Sequence, residues 1–256
     1  MGTSNHIKLN QLLATWPNGA VFTASWLKER GVYYELLRKY RSGGWVRKIG
    51  NGAVARAGDE VHWTGGLYAI QTQLELDVHV GSKTALELQG FAHFVPMGKG
   101  YKVFIFGRQG QFLPTWFLKY KWDVRLQFLR TNLFSKKQKL GLVRKDIGAY
   151  SISISSPERA IFEFLYLVKN EGSFEEAHQL MQGLATLRSD LAQELLRASN
   201  SIKVNRLFMY LAEKSSHAWV KELDLSKVDF GKGKRVIVPG GKFDSKYKIS
   251  VPEITS

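Results

Sequence analysis

The sequence predicts an α+β protein in which a small helix-and-hairpin unit at the front precedes a larger mixed α/β part. Three observations lead there. Between Thr23 and Trp63 a short helix, a glycine turn, a basic helix, a Gly-Gly stop and an Asn-Gly hairpin follow one another. Between Leu76 and Ile147 short β-prone runs are separated by turn residues, and from Ser156 onward apolar residues recur at helical spacing. With 256 residues, 44% of them hydrophobic and 12% aromatic, the chain can bury one large or two modest cores.

The first element is a helix over His6 to Thr15, where Ile7, Leu9, Leu12 and Leu13 are interleaved with polar residues; Pro17-Asn18-Gly19 stops it. Thr23 can cap a second helix running to about Arg30, and Gly31 supplies the left-handed residue that ends it. The third helix, Val32 to Arg41, sets Val32, Leu36, Leu37 and Tyr40 on one face and Tyr34, Arg38 and Arg41 on another. Ser42-Gly43-Gly44 ends it. Trp45 to Ile49 is then expected to pair with Ala53 to Arg56, with Asn-Gly supplying two positive-φ positions for a two-residue turn. Helix, turn, helix and hairpin in that order describe a winged helix-turn-helix over residues 1–66.

Charge gives this unit a partner. From Lys28 to Arg56 there are eight basic residues against Glu29 and Glu35. Neutralising duplex phosphates with such a cluster releases counterions, and a helix in a major groove can read base edges. The expected DNA-contacting residues are Lys28, Tyr33, Tyr34, Arg38, Lys39, Arg41, Arg47, Lys48 and Arg56, with Tyr34, Arg38 and Arg41 placed to reach bases.

Thr64-Gly65-Gly66 reads as a soft boundary, so that residues 67–256 form the second domain, divisible near residue 150. Leu67 to Leu74 should be helical, Leu76 to Val80 a strand, Lys83 to Gln89 a short helix, and Phe91 to Val95 and Val103 to Phe106 strands. Pro114 opens a helix to Tyr120, and Val124 to Leu129 and Leu142 to Ile147 are strands around a basic tongue, Lys136-Lys137-Gln138-Lys139. Lys136, Lys137, Lys139, Arg144 and Lys145 form a second set that could follow phosphates, or a solvated hairpin rim.

Ser156, Pro157 and Glu158 mark a sharp helix start, and Ile161 to Val168 is apolar nearly all round, hence buried or an interface. Ser173 is expected to cap a helix to Met181; Leu187 to Ala198 and Ile202 to Glu213 continue the helical block, and Val236 to Val238 and Tyr247 to Val251 are short strands. The net charge is +15, and it resides in the first 150 residues; residues 151–256 carry 15 basic and 13 acidic side chains and are nearly balanced.

Catalytic machinery is not legible. Gly231-Lys232-Gly233-Lys234 lacks the spacing and following Ser/Thr of a phosphate loop, and Gly81-Ser82 lacks the acidic pair a nucleotidyltransferase needs for its metals. Six scattered histidines show no ligand spacing, and zero cysteines exclude disulfides and thiolate sites and fit a reducing compartment. No catalytic residue, metal or cofactor is assigned. The chain has no apolar run of membrane-spanning length and no signal-peptide pattern, so a cytoplasmic protein without a membrane partner is expected.

Several stretches are similar to those of AbiEi-type antitoxins of type IV toxin-antitoxin systems: the helix-turn-helix with its hairpin, VHWTGGLYAIQTQL, VHVGSKTALELQGFAHF (Val78 to Phe94), SSPERAIFEFL (Ser155 to Leu165), VNRLFMYLAE (Val204 to Glu213) and LDLSKVDFGKGKRVIV (Leu223 to Val238). The resemblance implies an N-terminal domain that binds double-stranded operator DNA in its own promoter and represses the operon. It implies a C-terminal domain that counteracts a nucleotidyltransferase-like toxin without a stable complex. Two other readings fit the same residues: a nucleic-acid-processing enzyme using Asp229, Asp244 and Lys246, and a DNA-binding scaffold with no antitoxin role.

Overall fold

Thr23 serves two elements at once, closing a strand and capping the helix that follows. The computed structural model describes residues 9–91 and 100–254. Its front unit contains α1 (Leu9–Thr15), β1 (Val21–Thr23), α2 (Ala24–Glu29), α3 (Tyr34–Ser42), β2 (Val46–Gly50) and β3 (Ala53–Arg56). Thr23 Oγ1 accepts from the Trp26 N–H at 3.4 Å, a cap whose loss typically costs about 1 kcal/mol. Gly31 follows at φ 84°, as the sequence requires. The strands form an antiparallel sheet in the order β1-β3-β2, and Leu12, Trp16, Phe22, Leu27 and Leu37 pack on it.

Two local expectations change, and one strand is added. The first helix is described from Leu9, and His6 to Lys8 lie outside the described residues. Val32 precedes α3 rather than opening it: its N–H bonds Leu27 O at 2.9 Å and its side chain is buried in the turn. In the hairpin turn only Gly52 takes a positive φ, 85°, and β2 slips register between Lys48 and Gly50. That bulge supplies the local twist that a turn with two positive-φ residues would otherwise have given. The sheet's third strand, β1, was not anticipated.

Helix α4 (Trp63–Thr72) starts before Thr64-Gly65-Gly66, so the residues read as a soft boundary are themselves helical. Both glycines are buried: a Cβ on Gly65 would overlap the Gly19 carbonyl oxygen, and one on Gly66 would sit 2.8 Å from the Phe117 ring. They are small because backbone and ring come this close. The expected division after residue 66 falls inside α4, which packs on β1 on one side and on the larger sheet on the other. Val21, Ile49, Ala53 and Ala55 of the front unit share the main core with Leu67 and Ile70.

Beyond α4 the chain runs β4 (Val78–Val80), α5 (Ser82–Leu88), β5 (Lys102–Gly107), α6 (Thr115–Lys119), β6 (Arg125–Arg130), β7 (Leu142–Asp146) and β8 (Ser151–Ser155). The expected strand over Phe91 to Val95 lies, from residue 92, outside the described residues. The five strands form a mixed sheet in the order β6-β5-β4-β8-β7. β5 and β6 are parallel over six residue pairs, whereas β4 and β8 pair only at Val80 and Ile154. Strand β8, Ser-Ile-Ser-Ile-Ser, was missed because serine has little strand preference. Its isoleucines, wholly buried, take one face of the sheet.

The helical block comprises α7 (Pro157–Leu167), α8 (Glu171–Gln182), α9 (Ser189–Ala198) and α10 (Ile202–Lys214). Ser156 caps α7 and Pro157 opens it, as expected. For α8 the cap is Asn170: its side chain accepts from the Ser173 N–H at 3.0 Å while Ser173 Oγ accepts from the Asn170 N–H at 3.1 Å. Ser173 is thus the third-residue partner of a capping box, not the cap. Helix α7 is central; Phe162 stacks against Phe208 of α10 with ring centroids 4.3 Å apart. Each such buried side chain contributes about 1.5–3 kcal/mol.

The tail forms β9 (Arg235–Val236), β10 (Lys242–Asp244) and β11 (Ile249–Val251), ordered β10-β11-β9. The buried guanidinium of Arg206 donates to Phe230 O and Gly233 O, both at 2.6 Å. The Gly-Lys-Gly-Lys turn therefore aims carbonyls at a cation, the reverse of a loop that cradles phosphate with N–H groups.

Candidate nucleic-acid interface

Leu37 is buried against the front core, and this orients the opposite face of α3 outward. On that face Tyr34, Arg38 and Arg41 are exposed at spacings of four and three, with Tyr34 73% accessible. They line one side of an open groove whose other side is the hairpin, with Arg47 and Lys48. Tyr33, half exposed, stands at the N-cap position of α3; Lys39 lies in its last turn, where a cation meets the negative end of the helix dipole. Lys28 is exposed on α2. Trp45, at the foot of the hairpin, is 51% exposed.

Arg56 and Arg47 are partly engaged inside the protein. Arg56 donates Nε to Asp59 Oδ1 at 2.8 Å and its Nη atoms reach Leu13 O and Asn18 Oδ1, so it ties α1 to the sheet. Arg47 donates Nη1 to Tyr120 Oη at 3.0 Å and Nη2 to Asp59 O at 3.1 Å. The hairpin is clamped at its tip as well: a Cβ on Gly50 would lie 2.6 Å from Trp116 Cβ in α6. A hairpin held this way is fixed relative to α6.

The basic middle stretch divides in two. Lys119 and Lys121 flank Tyr120, whose hydroxyl accepts from Arg47, and both are exposed. The tongue turns to the helical block: Lys137 Nζ pairs with Glu194 Oε2 at 3.3 Å, and the Asn200 N–H reaches Leu133 O at 2.9 Å. Arg144 bonds Ser151 across β7 and β8, while Lys136 and Lys139 are exposed. Lys145 is half-buried.

Sequence reasoning missed a buried polar cluster at the base of α7. Glu163 Oε1 accepts from His79 Nε2 and Arg159 Nε, both at 2.8 Å, and Oε2 accepts from Ser155 Oγ at 2.8 Å and the Ser82 N–H at 3.1 Å. Burial alone would raise the Glu163 carboxyl, but the charge and hydrogen bonds of His79 and Arg159 bring it down to about 2. Burial lowers His79 below its usual value. The signal was present: Arg159 and Glu163 stand four apart on a largely apolar helix, where unpaired charges could not be buried.

The acids considered for metal-dependent chemistry are engaged separately. Asp229 accepts from Gly231 N–H at 2.8 Å, Asp244 from Tyr247 N–H at 2.7 Å, and Lys246 pairs with Glu213 at 2.6 Å. Among the described residues no three His, Asp or Glu side chains come together as a metal site. No helix among them is long and apolar enough to cross a membrane.

Two packed helices, a basic third-strand hairpin and an outward cationic helix face define a winged helix-turn-helix, the fold of many transcriptional regulators. The chain belongs to the AbiEi antitoxin family. Residues 5–97 match the family described as transcriptional regulator, AbiEi antitoxin N-terminal domain, and residues 100–252 match the one described as transcriptional regulator, AbiEi antitoxin, type IV TA system. The fold is similar to the crystal structure of RV2827C protein from Mycobacterium tuberculosis, with a TM-score of 0.57 at 14% identity over 90% of this chain and 85% of that one. No curated protein matches the sequence.

Proposed function

We propose that this chain is the antitoxin of a type IV pair that binds operator DNA upstream of its own operon and represses it. The observation that carries the reading is the groove between α3 and the hairpin, lined by Tyr34, Arg38, Arg41, Arg47 and Lys48. Helix α3 enters the major groove; Arg38 and Arg41 read base edges, and Lys48, Lys39 and Lys28 hold phosphates. Tyr33 flanks the entering helix, and Arg56 chiefly braces the hairpin. The charge-balanced helical part counteracts a nucleotidyltransferase-like toxin, and the protein works by binding rather than catalysis.

Fluorescence anisotropy with a labelled duplex from the upstream promoter tests the first half. Binding should weaken steeply between 50 and 200 mM salt, since a protein neutralising about 6–10 phosphates loses roughly 10³–10⁵ in affinity over that range. Absence of salt-sensitive binding to any upstream duplex overturns it. For the second half, co-expression with the neighbouring toxin gene should restore growth even when α3 carries Arg38→Ala and Arg41→Ala. Failure of the intact chain to protect sinks the antitoxin role.

A further inference from the structure

A cavity of about 370 Å³ lies where the basic tongue folds over the ends of β4, β5, β7 and β8, away from the α3 groove. Its wall carries Arg108, Lys139, Arg144 and Arg159 against one carboxylate, Asp77. Arg108 and Lys139 have no ion-pair partner among the described residues. Arg159 is 5% exposed and uses Nε on Glu163 and Nη1 on the carbonyls of Gln138 and Leu140. Its Nη2 has no hydrogen-bond partner among the described residues, so a donor held in place by the rest of the guanidinium is left over in a cationic recess.

A second feature concerns the hydrogen-bonding character of the wall. Glu163 is held ionised and can only accept, so the His79 nitrogen facing it, Nε2, carries the hydrogen. Burial lowers His79, and in the neutral form of the ring Nδ1 is an acceptor on a residue lining the cavity. Phe134, buried and stacked under the Arg159 guanidinium at 4.9 Å, gives the recess an apolar floor. Cations for an anion, an acceptor for a hydroxyl or amine, and an aromatic floor occur together in one recess.

We propose that this cavity binds a small phosphate-bearing ligand of nucleoside monophosphate size, its phosphate among Arg108, Lys139 and Arg159 and its sugar or base against His79 and Phe134. The volume falls near the low end of the ~300–1,000 Å³ typical of ligand pockets, enough for one nucleotide and too small for a duplex. The Arg159 guanidinium, oriented by Glu163 and two carbonyls, loses no freedom on binding, and a charge-assisted bond to phosphate is about twice as strong as a neutral one.

The test is calorimetric titration of the full-length protein with guanosine 5′-monophosphate, adenosine 5′-monophosphate, guanosine and inorganic phosphate, with amide chemical shifts followed in parallel. At least one monophosphate should bind, inorganic phosphate more weakly, and guanosine not at all, with shifts at Gly107, Arg108 and Asn132. Arg108→Glu, an exposed substitution that should leave the fold intact by circular dichroism, should weaken binding by at least about tenfold. Lys48→Ala in the α3 groove should leave it unchanged. The proposal is overturned if neither monophosphate binds, if guanosine or inorganic phosphate binds equally well, or if Lys48→Ala rather than Arg108→Glu abolishes the signal.

Discussion

Arg47 Nη1 and Tyr120 Oη lie 3.0 Å apart, joining the hairpin to the end of α6 across 73 positions of sequence. The bond ties one wall of the α3 groove to the larger part of the chain. Tyr120→Phe should lower stability by about 1 kcal/mol in urea denaturation, the usual net worth of one hydrogen bond. It should also make operator binding less dependent on hairpin geometry. Unchanged stability together with unchanged affinity would show the clamp to be idle.

Arg38 and Lys48 occupy opposite walls of the groove and should differ in kind. Arg38→Ala should cost about 1–3 kcal/mol and relax discrimination at one base pair, whereas Lys48→Ala should weaken all duplexes alike and reduce the salt slope by about 1. Affinity measurements against operator variants at three salt concentrations separate the two. Equal, sequence-independent losses would remove the base-reading role of Arg38.

The Glu163 cluster predicts acid sensitivity. Glu163 falls from its usual 4.5 to about 2 in the folded protein, so its contribution is present above 4.5 and is lost as pH falls toward 2. His79 is also lowered, from 6.5, so the unfolded chain takes up its proton first and stability declines as pH drops below 6.5. Both act in one direction. Urea midpoints measured from pH 8 to pH 4 should fall, and His79→Asn should flatten the part of the curve nearest pH 6. Glu163→Leu strands Arg159 and should destabilise by about 3–5 kcal/mol, as when one partner is removed from a buried pair.

Two helical glycines should respond oppositely to alanine. Gly172 in α8 faces open space, so Gly172→Ala should stabilise by up to about 1 kcal/mol through helix propensity. Gly65 in α4 abuts the Gly19 carbonyl, so Gly65→Ala should destabilise despite the same propensity gain, by about 1–3 kcal/mol from overpacking. Thermal denaturation of the two variants reads the signs directly. A stabilising Gly65→Ala would mean that α4 and the Gly19 turn are not in contact.

Local signals were legible wherever a residue's role is played out within a few neighbours. The Thr23 cap, the Gly31 stop, the Ser156-Pro157 start of α7 and the outward face of α3 were all read from spacing, because capping bonds and helical faces depend only on residues three or four apart. Roles that depend on a distant partner were not. Thr64-Gly65-Gly66 read as a soft boundary because nothing in its neighbourhood announces Gly19 or Phe117. His79 and Glu163, 84 positions apart, meet only when α7 is laid on the sheet. The sequence by itself determined the helix starts and stops, the cationic front and the family likeness, while tertiary structure alone decided which charges face inward. The reason is physical: burying a charge demands a partner, and in a folded chain that partner is supplied by packing rather than by proximity along the backbone.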